Sequence, residues 1–236
     1  LIGAGTSSIS VYENTYYAPT FDINNSVRPN PLGSNPDIGA FENPLANYLH
    51  NSQIYVAPNG NDSSSVGLES TPFASIQKAI DYAVNGDQII VKPGIYENSL
   101  NLNKSITLRS LTGFQNTILK SIGDSSKIIK IIGTGDSLNP LQVTIQGFKF
   151  INDSLSSNQI ALQLENDLFL NIEKCWFEKI KYGIFSNSAY YDVINSVFNN
   201  VDIVSIHQNG YSNIERLSKF IHSTIINADS ITIATF

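Results

Sequence analysis

Four segments of this chain line up with one another, and that alignment constrains the fold more than any other feature. They are VTIQGFKFIND (143–153), LNIEKCWFEKI (170–180), DVINSVFNNVD (192–202) and KFIHSTIINAD (219–229). The frame places Phe150, Phe177, Phe198 and Ile225 in one column, with Phe148, Cys175, Ser196 and Ser223 two residues before it. Two residues after it come Asn152, Lys179, Asn200 and Asn227. The units recur about 27, 21 and 27 residues apart, within the range of a solenoid repeat. A unit this short cannot close a core alone, so each must stack on its neighbours. Phe and Ile are expected inside the stack. Two readings of the recurrent Asn stay open: a ladder of amide bonds from coil to coil, broken by Lys179, or exposed Asn residues that suit a turn.

The rest of the C-terminal part agrees with coils. Short apolar runs such as Ile89–Val91, Ile106–Leu108, Ile128–Ile132, Ile160–Leu164 and Ile203–Ile206 alternate with Asn, Gly, Ser and Asp. Many alternate in and out with period two, the signature of half-buried strands.

One stretch departs from that pattern. Phe73, Ile76, Ala79, Ile80, Ala83 and Val84 recur at steps of three and four, which predicts an amphipathic helix over 72–85. Thr71 stands where an N-cap would, with Pro72 at the first helical position and Asn85-Gly86 at the end. A single helix ahead of many short strands reads as a plug on the open end of a stack.

The residues around this helix also carry a resemblance. Tyr55, Val56, Pro58, Gly60, Asn61, Asp62, Gly67, Thr71, Pro72, Phe73, Ile76, Gln77, Gly86, Asp87, Pro93, Gly94, Tyr96 and Glu97 follow one another in order. The run resembles the opening of the pectate-lyase-like, right-handed parallel β-helix family. Earlier, Arg28–Glu42 (RPNPLGSNPDIGAFE) resembles the closing segment of secreted bacterial β-helix domains. Together they imply an all-β chain: the end of a preceding module or Pro-rich strap over 1–50, then a right-handed parallel β-helix with one N-terminal capping helix over 51–236. They also imply an extracellular or cell-surface location. A fold does not name a reaction, and family members range from lyases to adhesins.

Composition narrows the partners. The net charge of the 236 residues is -6 and only 14% are charged, which argues against nucleic acid. No run is long and apolar enough to span a membrane. The single cysteine, Cys175, lies in an apolar strand pattern and is expected to be a buried, inert thiol. The sequence lacks methionine altogether and shows no signal peptide, so excision from a longer parent is expected. The run Ile231–Phe236 carries no polar cap, which predicts continuation, a partner, or end-to-end self-association.

The candidate site residues are few. By the resemblance, lyase members abstract a proton with Arg or Lys while acidic side chains hold calcium, which makes Arg109 and Arg216 the catalytic candidates. Asn61 and Asp62, in a loop with a glycine bend, are candidate ligands for Ca2+, with an Asx-bonded turn as the alternative. Tyr190, Tyr191 and Tyr211 lie in polar surroundings and are candidates for stacking on sugar rings. His207 and His222 are the only histidines that adjacent turns would bring together, and two histidines make a thin zinc site. The expected function is a non-catalytic structural or adhesive module contacting an extracellular polysaccharide. The alternative is a calcium-dependent polysaccharide lyase or a fragment of one.

Overall fold

Alternating apolar and polar residues close into coils here because each strand shows one face to a common interior. In the computed structural model, which describes residues 4–30, 34–43, 50–97, 99–121, 127–134, 136, 138–151, 159–208 and 218–228, the chain divides into two units, Leu1–Asn51 and Ser52–Phe236.

Among the described residues of the first unit, β1 (Ser8–Val11) and β2 (Asn14–Tyr17) form an antiparallel hairpin. Its turn is Tyr12-Glu13, with Tyr12 at φ 56°. The remainder is tied by carboxylates. Asp22 Oδ1 accepts from the backbone N–H of Asn24 and Ser26 at 2.8 and 2.7 Å, and its Oδ2 accepts from Glu42 at 3.0 Å. Glu42 takes Arg28 Nε at 2.7 Å and the backbone N–H of Asn30 and Asp37 at 3.0 and 3.2 Å. Among the described residues of this unit only Ser34, Pro36 and Glu42 are buried.

The second unit opens with β3 (Gln53–Val56) and the helix α1 (Ile76–Tyr82). The helix is shorter than the periodicity predicts. Ser75, not Thr71, is the N-cap, and its hydroxyl accepts from Lys78 N at 3.2 Å. Residues 72–74 are held outside the helix because β3 needs a partner. Phe73 donates to Tyr55 O and accepts from Ala57 N, both at 2.9 Å, and bridges Val56 in parallel. Gly60 sits so close to this crossing that a Cβ would collide with the Phe73 carbonyl. At the other end Lys104 Nζ donates to the carbonyls of Ile80, Asp81 and Ala83 and closes the helix. Val84, expected on the buried face, is turned outward by the bond from its N–H to Asp87 Oδ2 at 2.7 Å. Gly86, at φ 95°, serves the turn that follows rather than the helix end. Ile76, Ala79 and Ile80 are buried, and the helix packs on β3 and the strands of the first coil.

The coils follow in order. The first is β4 (Gln88–Val91), β5 (Gly94–Glu97) and β6 (Leu100–Leu102); the second is β7 (Thr107–Ser110), β8 (Thr117–Lys120) and β9 (Lys127–Ile132). The third is β10 (Leu141–Gln146), β11 (Lys149–Ile151) and β12 (Ile160–Glu165). From the fourth coil two faces run together as one long strand: β13 (Leu168–Glu173) with β14 (Trp176–Asn187), then β15 (Tyr190–Ile194) with β16 (Val197–Gln208). β17 (Lys219–Ile221) and β18 (Thr224–Ile226) begin a sixth. One sheet is β17-β15-β13-β10-β7-β4-β3, parallel throughout, and the remaining coil strands form a second parallel system. Gln77 on α1 exchanges two hydrogen bonds with the backbone of Asn101 on β6, the edge strand of that system, at 3.1 and 2.9 Å. A helix side chain thus satisfies a sheet edge that would otherwise be open.

The repeat frame is the frame of the stack. Phe150 pairs with Phe177, Phe177 with Phe198, and Phe198 with Ile225. The three rings are fully buried and stacked, with centroids 4.7 and 4.4 Å apart. Of the two readings of the recurrent Asn, the exposed one holds, at a left-handed bend within or just after a strand. Lys179, Asn200 and Asn227 are exposed and sit at φ 55°, 53° and 52°, in the left-handed region that Asn tolerates. Asn152 and the run Ile231–Phe236 lie outside the described residues. The preceding column turns, after Phe148, into a ladder of small side chains: Cys175 N donates to Ser196 Oγ at 3.1 Å, and Ser196 N to Ser223 Oγ at 3.3 Å. Cys175 is buried and desolvation pushes its thiol up to about 12, an inert group.

Candidate carbohydrate-contacting face

Period two gives the seven-stranded sheet an inner row of Ile89, Leu108, Ile145, Ile172 and Val193, all buried. The residues between them face outward in register. One outward row runs Gln88, Thr107, Thr144, Asn171, Asp192 and Lys219. Two residues further along each strand a second row reads Ile90, Arg109, Gln146, Glu173 and Ile194, of which Ile90 is covered and buried. Two residues before the first row stand Gln142, Phe169 and Tyr190. Neighbouring members of a row are one strand spacing apart, about 4.8 Å.

A change in strand length opens a cleft in this face. β4 and β7 have four residues, whereas β10 and β13 have six. Leu141–Val143 therefore runs past the start of β7 and faces the turn before it, where Ser105 Oγ accepts from Gln142 N at 3.0 Å. The step leaves a cleft of about 250 Å³ lined chiefly by Gly86, Ser105, Thr107, Gln142, Thr144 and Asn171. Its polar side chains are hydroxyls and amides, each able both to donate and to accept. Beyond it Gln146 Nε2 donates to Glu173 Oε2 at 3.2 Å. Along the three rows the charges of Arg109 and Lys219 balance those of Glu173 and Asp192.

The candidates named from sequence fall in several places. Tyr190 and Arg109 share this outward face, three coils and four residue positions apart, about 20 Å by strand and residue spacing. Tyr191 does not belong with them. It is 1% exposed, its hydroxyl bonds that of Ser205, and its ring meets Phe220 edge-on at 6.4 Å. Adjacent residues in a strand point to opposite faces, so one tyrosine of the pair had to go inside. Burial raises the pKa of its phenol. Tyr211 and Arg216 lie outside the described residues.

Asn61 and Asp62 lie in the loop ahead of α1. Asn61 Oδ1 accepts from the N–H of Ser63 and Ser64 at 2.8 and 3.2 Å, an Asx-bonded turn. Asp62 Oδ1 accepts from Ala74 and Ser75 N–H at 2.7 and 3.1 Å. Burial pulls the Asp62 carboxyl upward, but the bonds from Ser75 and Ala74 outweigh it and hold the group below its ordinary value. These oxygens fasten the helix entry. Among the described residues no three His, Cys, Asp or Glu side chains converge as a metal site. His207 is in register with Ser186, whereas His222 sits at the turn between β17 and β18, so adjacent coils do not bring the two positions into register.

Thr107, Gln142, Thr144, Phe169, Asn171 and Asp192 were not singled out from sequence. The signal was there: TLRS, LQVTIQ, LFLNIE and YYDVI, aligned on their outward positions, give these residues directly.

The fold places the chain in the class of right-handed parallel β-helices. Residues 58–233 match the family described as "Protein of unknown function (DUF1565)", and the chain belongs to that family. No curated protein matches it. Among solved structures it is similar to pectin methylesterase PemA from Erwinia chrysanthemi, at 14% identity over 75% of this chain and 67% of that one, with a TM-score of 0.41. It is also similar to pectin methylesterase from carrot (15%, 74% and 63%, TM-score 0.45) and to a rhamnogalacturonan lyase (13%, 78% and 64%, TM-score 0.41). The chain thus spans about two thirds of each of these proteins. No helix among the described residues is long and apolar enough to cross a membrane.

Proposed function

We propose that the chain is an exported or cell-surface module that contacts polysaccharide through the outward face of its seven-stranded sheet, in a structural or adhesive role. The observation that carries this reading is the cleft over Thr107, Thr144 and Asn171, flanked by the row Gln142, Phe169 and Tyr190. Hydroxyls and amides that both donate and accept suit sugar hydroxyls, and half-buried aromatic rings suit the apolar face of a sugar ring. Export is supported by the likeness of residues 55–97 to the opening of secreted β-helix domains. Binding without cleavage is supported by the charge arrangement: Arg109 and Glu173 are two coils apart with Gln146 between them, and Glu173 already accepts from that glutamine. Proton abstraction needs a base and a charge-stabilising partner close together on one sugar.

Affinity electrophoresis through a panel of neutral and acidic polysaccharides tests this. At least one polymer is expected to retard the protein, and Tyr190→Ala and Asn171→Ala each to weaken retardation about tenfold, roughly the loss of one good contact. Absence of retardation by every polymer, or retention unchanged in both variants, overturns the reading. Release of unsaturated, ultraviolet-absorbing sugar with added calcium would replace it with the lyase alternative.

A further inference from the structure

We infer that this face selects an uncharged glycan and that Asp192 enforces the choice. The inference rests on the glycan-contacting reading above and deepens it by naming the ligand class. The cleft is lined by Ser105, Thr107, Gln142, Thr144 and Asn171, with no ionised side chain among its lining residues. Sugar hydroxyls match such a lining because both partners donate and accept. A sugar carboxylate does not. It only accepts, and when desolvated it needs a cation or several converging N–H donors.

The row continues from Asn171 into Asp192, one strand spacing beyond the cleft. Asp192 is half-buried and on the outward face. Its carboxylate accepts hydroxyl donors from a neutral sugar but repels a carboxylated one in the same position. The cations nearby are matched by carboxylates rather than in excess of them. Arg109 stands in the second row, which continues through Gln146 to Glu173, and Lys219 lies directly beside Asp192. The face therefore presents no net positive charge. The chain as a whole carries -6, so long-range steering also opposes a polyanion.

A polymer whose charge alone can be changed makes the decisive probe. Highly methyl-esterified homogalacturonan and the same polymer after saponification differ in exposed carboxylates and little else; a neutral galactan provides a third arm. With the full chain, the esterified polymer and the galactan are expected to bind at least tenfold tighter than the saponified one, with little dependence on salt. Asp192→Asn is expected to shrink that ratio to about threefold, and Asp192→Lys to invert it. Trp176 fluorescence checks that each variant is folded. Equal or tighter binding of the saponified polymer, weakening as salt rises, overturns the inference and leaves the glycan-contacting reading standing. An unchanged ratio in both Asp192 variants removes Asp192 as the determinant. No binding to any of the three polymers, with none in the wider panel, removes both readings together.

Discussion

In Ser52–Phe236 each coil adds an apolar layer to the one below: Leu108, Ile145, Ile172 and Val193 on one wall, Phe150, Phe177 and Phe198 on another. Leu1–Asn51 inverts that arrangement. Glu42 is interior, its side chain fully buried against Arg28, while Tyr12, Tyr17, Ile23 and Phe41 stand exposed. The difference lies in how order is shared. A solenoid coil leans on two neighbours, so its stability is a sum of many similar terms. The first unit leans on two acidic side chains that between them accept bonds from five backbone N–H groups and one guanidinium. Loss of one apolar contact in the solenoid is local, whereas loss of either carboxylate in the first unit removes three bonds at once.

The largest effect is expected where the solenoid stack is densest. Phe177→Ala removes the middle ring of three and leaves a cavity between Phe150 and Phe198, at a cost of about 3–5 kcal/mol. Denaturant unfolding followed by the sole tryptophan, Trp176, reads the second unit alone. A loss under about 1 kcal/mol would mean that the neighbouring coils collapse into the gap, and that the ring stack is not what holds them.

Glu42→Gln is expected to cost the first unit about 3 kcal/mol, because an amide N–H then faces the donors of Arg28 or Asn30 in a buried place. Amide exchange should rise across 22–43 while the Trp176 transition stays in place. Acid acts on the same network. The backbone N–H of Glu42, then that of Ser26, holds the Asp22 carboxyl below its ordinary value of 3.8. A depressed carboxyl contributes fully above that value and loses its contribution as pH falls through the lower folded value. Protection of Asn24, Ser26 and Glu42 amides is therefore expected to fail below pH 4 and not between 5 and 8. Loss of protection at pH 6 would point to a different group.

Legibility followed the same division. The solenoid repeats, so Phe150, Phe177, Phe198 and Ile225 could be aligned on sequence alone, and the pairing of the coils reproduces that alignment. The helix was legible as a buried face but not in its limits. Periodicity records which residues are buried, and Phe73 is buried as a strand partner of Val56 rather than as a helical residue. Tyr191 was misplaced for a related reason: its polar neighbours suggested surface, and its strand parity put it inside. The outward rows were readable in principle, yet their residues become a face only once the registers are known. In the first unit nothing repeats, and a buried Glu42 bonded to Arg28, fourteen residues earlier, has no periodic signature.

The smallest predicted effect sharpens the comparison most, because it tests whether solenoid terms are separable. Lys179, Asn200 and Asn227 occupy one column at nearly the same positive φ, all exposed. The position asks for a backbone conformation and for nothing from the side chain. Lysine carries the left-handed penalty in full, about 1–2 kcal/mol, and asparagine offsets part of it through local hydrogen bonds. Lys179→Asn is therefore expected to stabilise the second unit by about 0.5 kcal/mol, and Lys179→Gly by a similar amount, since glycine's ease at positive φ is partly offset by its greater freedom when unfolded. Denaturation midpoints at constant slope measure the gain. If the coils contribute independently, the gain adds to the Phe177→Ala loss with no coupling beyond about 0.5 kcal/mol, although the two residues share a strand. Strong coupling would show that turn and core of one coil settle together, and the solenoid would then resemble the first unit more than its layered core suggests.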